Sequence, residues 1–234
     1  MLTIRNEKLR TVLRFVIPCF LIPAAAFLGE TVFDEKKHLL VSFAVAVLSL
    51  ILFITGFEKK QTGTRRMVIV AVMIALGVAG RFIPVFKPIT AITVITAIWL
   101  GSESGFLVGS FSALLSNFYF GQGPWTAFQM LAWGMIGWIA GLLAEPLKKH
   151  RFALILYGVL SCIAYSFIMD IWSVLGHHAT FNWNLYLAAL ATAVPYTVLY
   201  SVSNFIFLWF MAKPFGEKLN RIKIKYGMME EDGE

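Results

Sequence analysis

The chain has 234 residues, 59% of them hydrophobic and 14% charged, with a mean hydropathy of +0.75. An ordinary globular domain is about 45–50% apolar and about 25% charged, so a soluble fold is excluded. The net charge of +7 does not mark a nucleic-acid binder, because the lysines and arginines cluster at the ends of apolar runs, where they set topology and meet lipid headgroups. The apolar runs are continuous rather than alternating, which selects spanning helices over a barrel. An all-α integral membrane protein is expected.

Eight apolar segments follow in order: 11–29, 39–57, 66–82, 89–101, 104–120, 125–144, 152–175 and 185–212. The first, after Arg5, Lys8, Arg10 and Arg14, contains Pro18 and Pro23 as kink points and shows no small-x-small cleavage site; it reads as a retained helix. The fourth is short for a span of about 20 residues, and the eighth is long enough to tilt or project. A charged stretch, EKKQTGTRR, divides the chain. Residues 1–65 form an N-terminal two-helix segment with its basic linker, 66–212 a six-helix membrane domain, and 213–234 a basic and acidic tail.

With both termini cytoplasmic, the inner segments take most of the basic residues and the outer loops hold only Lys36, Lys37, Arg81 and Lys87, as the positive-inside rule requires. Three loops of the six-helix domain then face outward: RFIPVFKP (81–88), FGQGPW (120–125) and GHHATFNWN (176–184). The stretch SNFYFGQGPWTAFQM turns at Gly121, with Pro124 suited to open the next helix and Gly123 to cap it. It carries Asn117, Tyr119, Gln122, Trp125 and Gln129. Trp125, Gln129 and Trp133 are spaced by four on one helix face, and Gly134, Gly137 and Gly141 offer a packing seam on the other.

In the seventh segment Ser166, Asp170, Ser173 and His177 share a stripe. An acid deep in an apolar run is costly. Asp170 therefore either pairs with Arg81, Lys87 or His177 to fix a loop, contacts a ligand, or relays a proton. In the eighth segment Tyr196, Tyr200 and Ser203 or Asn204 form a further stripe, with Pro195 beside it. Trp172, Asn182 and Trp183 add to the outer set. Adjacent His177 and His178 lack a third ligand, and Cys19 and Cys162 lie in apolar runs, so no metal site is expected; nor does anything call for a cofactor. P-loop, nucleophile-elbow and zincin motifs are absent, so energy for uphill transport would come from a partner. The competing enzyme reading makes Asp170 and His177 an acid and base acting on a lipid-linked substrate; a purely structural subunit is a third.

Ala71, Ala75 and Ala79 form a small-residue stripe in the third segment, and Gly101, Gly105 and Gly109 a second one. Such stripes let helices approach closely. With that stripe, and with the run GRFIPVFKPITAITVITAIWLGSESGFLVGSFSALLSNFYFGQGPWTAFQMLAWGMIGWIAGLL, the chain resembles the substrate-binding S component of energy-coupling factor (ECF) vitamin transporters, in a branch similar to cobalamin-type S components. The resemblance implies a six-helix S-component bundle, here preceded by two extra helices. It implies capture of a vitamin, first a cobalamin-like corrinoid and otherwise a smaller vitamin or precursor. It also implies docking through Ala71, Ala75 and Ala79 on a transmembrane coupling subunit that sits on two ATPases. The outer loops and the outer halves of the last three helices would form the pocket.

Overall fold

A backbone in hydrocarbon must satisfy its own hydrogen bonds. In the computed structural model the described residues (6–32, 38–56, 63–84, 86–177 and 181–225) are helical apart from short turns. The side chain of His177, and His178 entirely, lie outside what is described.

Helix α1 (Glu7–Val16) passes through a π-helical turn (Ile17–Leu21) into α2 (Ile22–Val32). Pro18 opens that turn, and proline lacks the N–H an α-helix would use there; a wider turn relieves the clash. There follow α3 (His38–Thr55), α4 (Gly63–Arg81), α5 (Ile89–Leu100), α6 (Ser102–Phe120), α7 (Trp125–Leu142), α8 (Ala144–Lys149), α9 (Arg151–His177) and α10 (Trp183–Lys225). The short α8 is absent from the sequence reading. Helix α10 does not stop at 212 but runs unbroken through 43 residues, with Pro195 and Pro214 inside it.

Among the described residues, four helical runs are long and apolar enough to cross a bilayer unaided: Glu7–Gly29, His38–Thr55, Arg151–Gly176 and Trp183–Lys225. Helix α5, at about 1.5 Å per residue, is too short for that. It lies at the centre, packed by α4, α6, α7, α9 and α10, with all but Trp99 of its 12 residues buried. A helix walled by other helices need not match the hydrocarbon thickness.

The tightest packing is between α6 and α7. A methyl group built on Gly137 would stand 2.4 Å from the Gly105 carbonyl, and one on Gly109 would stand 2.4 Å from that of Trp133. The expected glycine seam is therefore a contact of backbones, and it sets α7's depth and rotation. Serines of α6 satisfy themselves on main-chain oxygens: Ser110 Oγ donates to Met130 at 2.8 Å and Ser104 Oγ to Leu100 at 2.8 Å. Gly101, at φ 93°, ends α5 in a conformation that L side chains rarely adopt.

Helices α1 to α3 pack on α6 and α7. Arg14 meets Glu103 at 2.9 Å, with Arg66 3.8 Å away on the other carboxylate oxygen. Phe15 meets Trp138 and Phe27 meets Phe128, both edge to face. This arrangement leaves α4's outer face uncovered, and Ala71, Ala75 and Ala79 are all exposed.

Candidate functional site

One end of the bundle gathers the C-termini of α4, α6 and α9 and the N-termini of α5, α7 and α10. Just inside it lies a small cavity of ≈ 70 Å³. Its walls come from five elements and one loop: Arg81 from α4, Lys87 from the turn, Thr90 from α5, Gln129 and Trp133 from α7, Cys162 and Tyr165 from α9, and Tyr200 and Asn204 from α10.

Arg81 closes α4 and is fixed from two sides. Its Nη1 donates to Asn117 Oδ1 at 2.8 Å and to Ser116 Oγ at 2.5 Å. Its guanidinium lies 5.1 Å from the Phe120 ring and 5.2 Å from the Trp133 ring. Asn117, itself buried, passes the network on: Nδ2 donates to Gln129 Oε1 at 2.8 Å and to Thr126 at 3.0 Å. Three elements thus hold one carboxamide at the cavity wall. Trp133 stacks on Tyr165 with centroids 4.4 Å apart and planes at 19°, and its Nε1 donates to Thr90 at 3.3 Å. The indole is locked in position before any ligand arrives.

Asn204 ties α10 to the start of α5. Its Oδ1 accepts the Ala91 N–H at 2.8 Å, while Nδ2 donates to the Tyr200 carbonyl at 2.8 Å and to that of Lys87 at 3.3 Å. Burial, and then the neighbouring Arg81 guanidinium, hold the Lys87 ammonium below the ordinary lysine value. The lining carries two basic side chains and no carboxylate. Such a wall suits a ligand rich in carbonyl or ring-nitrogen acceptors, with a flat apolar body for the aromatic rings.

Of the residues selected from sequence, Arg81, Lys87, Gln129, Trp133 and Tyr200 line this cavity, and Asn117 stands directly behind it. Gln122 serves the turn, donating to the Leu114 carbonyl at 3.0 Å and accepting from Thr126 at 3.0 Å. Trp125 pairs with Trp172, edge to face at 5.7 Å, above the cavity. Tyr119 is exposed and packs on Phe82 and Phe120. Asn182 caps α10 through the Asn184 N–H at 2.9 Å. Trp183 and Tyr196 are 69% and 66% exposed and turn outward. Asp170 is not among the lining residues. It accepts a hydrogen bond from Ser166 at 3.3 Å, and among the described residues it forms no ion pair with Arg81 or Lys87. His177's expected role falls on a side chain outside the described residues. No group of three metal-ligating side chains occurs among the described residues.

Sequence reasoning missed Tyr165, Thr90 and Cys162. Tyr165 carries a signal only in retrospect, as the aromatic one position before the polar stripe that begins at Ser166. Cys162 reads as a small apolar residue, which it is until the cavity opens beside it.

The comparisons with known proteins place this architecture. No curated protein and no solved structure matches the chain. A family model described as "ECF-type riboflavin transporter, S component" matches residues 61–220, covering α4 to α9 and all of α10 but its last five residues, and leaving α1 to α3 outside. The chain is thus a transporter's substrate-binding subunit rather than an enzyme, and it belongs to the S-component family of ECF-type riboflavin transporters.

Proposed function

We propose that this chain captures a flavin-class vitamin, riboflavin or a close precursor, in the cavity between Arg81 and Tyr200. The site faces outward, both termini are cytoplasmic, and the vitamin passes inward when the chain docks on a transmembrane coupling subunit carried by two ATPases. The observation that carries the substrate class is the pairing of a pre-stacked Trp133–Tyr165 wall with Arg81 and Gln129 around one cavity. A flat tricyclic ring suits the aromatic wall. A pyrimidine edge bearing two carbonyls suits the guanidinium and carboxamide. The matched family's name points the same way. A corrinoid, expected from the resemblance, is the less favoured occupant, because the matched family is named for riboflavin.

Docking through Ala71, Ala75 and Ala79 is supported by the exposure of all three and by the placement of α1 to α3 on α6 and α7 instead. Orientation is supported by the arginines and lysines gathered at the end away from the cavity. The test is a titration of the purified protein with riboflavin, read by quenching of flavin fluorescence on stacking against tryptophan or tyrosine, with cyanocobalamin as competitor. Saturable one-to-one quenching that cyanocobalamin does not relieve is expected. Tight cyanocobalamin binding with no flavin quenching would overturn the assignment.

A further inference from the structure

At the opposite end of the bundle, a second recess of ≈ 540 Å³ lies between the α8–α9 corner and the last third of α10. Its rim holds Lys148, Lys149, Arg151 and Lys213 against a single carboxylate, Glu217. Lys148 is partly engaged by Glu145 at 3.3 Å. The floor is apolar, built by the buried Leu154 and Leu208. Phe152 and Phe210 flank it on the surface, 79% and 66% exposed.

Arg151 is fixed in place. Its guanidinium stacks 3.9 Å from the Trp209 ring centroid, and Nη2 donates to the Trp209 carbonyl. Nearby, Pro214 has no N–H for the Phe210 carbonyl, so main-chain acceptors of α10 are loosened here. Arg151 opens α9 and Lys213 follows the end of α10's apolar stretch. Both therefore stand where hydrocarbon gives way to headgroups.

We propose that this recess binds an anionic phospholipid of the surrounding bilayer. Its phosphate meets Lys149, Arg151 and Lys213, and its acyl chains run along the surface between Phe152 and Phe210. A soluble anion would need only the cations. An apolar floor continuous with an exposed aromatic surface fits an amphiphile, and basic recesses between helices at the headgroup level are where such lipids are recognised. The site shares no residue with the Arg81 cavity, so its fate is independent of the vitamin assignment.

Native mass spectrometry of the purified protein, in detergent supplemented with palmitoyl-oleoyl-phosphatidylglycerol or its phosphatidylcholine counterpart, tests this. Retention of the glycerol lipid and not the choline lipid is expected, undisturbed by millimolar inorganic phosphate. The double variant Lys149→Gln/Lys213→Gln removes two exposed cations and leaves the Arg151–Trp209 contact in place. It should weaken retention by about 25-fold, from about fivefold per cation near a membrane surface. Lys218→Gln/Arg221→Gln, at the same end but off the recess, should change it less than twofold. Equal retention of the two lipids by the unmodified protein overturns the proposal without any variant. Displacement by free phosphate, an unaffected double variant, or an equal loss in the control pair overturns it as well.

Discussion

Replacing Gln129 by Ala tests the cavity at the point where its polar network is thinnest. Gln129 Oε1 accepts from Asn117 at 2.8 Å, and Asn117 keeps Thr126 at 3.0 Å and Arg81 at 2.8 Å after the change. One of the two Asn117 amide hydrogens is left without an acceptor, which costs about 1–3 kcal/mol if water does not replace it. The protein should remain folded, with its unfolding temperature lowered by about 2–4 °C per kcal/mol. Binding loses one neutral hydrogen bond, about 0.5–1.5 kcal/mol, a rise in riboflavin Kd of about 2- to 12-fold. The paired assay is the fluorescence titration beside a thermal unfolding curve. A Kd that stays within twofold of the unmodified protein's while the unfolding temperature falls would show that the carboxamide braces the wall without touching the vitamin. The site as built here would then be refuted at its centre.

Two other substitutions separate the remaining claims. Ala75→Arg places a long cation on the exposed face of α4; it should abolish uptake by reconstituted transporter while leaving the vitamin Kd within twofold, and an equal loss of both would refute the docking role. Glu103→Gln removes the carboxylate shared by Arg14 and Arg66. With Glu103 at 10% side-chain exposure and Arg14 at 30%, about 1–3 kcal/mol of stability should be lost. Hydrogen exchange should rise in α1 well before it rises in α7; uniform change along the chain would show that the pair does not anchor α1.

Much of this architecture was legible because membrane helices advertise themselves by length and their ends by charge. Arg81 and Lys87 stood out as the basic residues bracketing one loop, and Gln129 and Trp133 as a four-residue spacing on the helix after it. Helix α9 shows where that reasoning stops. Each residue turns a helix by about 100°, so the stripe of Ser166 and Asp170 and the cavity residue Tyr165 differ by one position and a quarter-turn. Only packing decides which face looks inward. Ser166 Oγ lies 2.8 Å from Thr197 Oγ1, so the polar stripe spends itself joining α9 to α10. Trp183 and Tyr196 were equally opaque. An amphipathic aromatic at a membrane-protein surface has the same sequence signature whether it meets a ligand, a headgroup or lipid. The seat of α1 to α3 on α6 and α7 could not be read either, since helix-facing and lipid-facing apolar surfaces have similar composition.

The seam that joins those first helices to the rest is made of two unlike materials. Its aromatic contacts, Phe15 on Trp138 and Phe27 on Phe128, can be exchanged for acyl chains at little cost, because lipid tails are as apolar as the side chains they would replace. The Arg14–Glu103 contact has no such substitute in a bilayer. A shortened chain beginning near Gly63 would therefore find lipid to cover its bared rings. Among the described residues it would keep Glu103 with Arg66, 3.8 Å distant, to answer its charge. Across descendants of this chain, drift should be free at Phe15 and Phe27 and paired at Arg14 and Glu103, so that the charges are lost together or not at all.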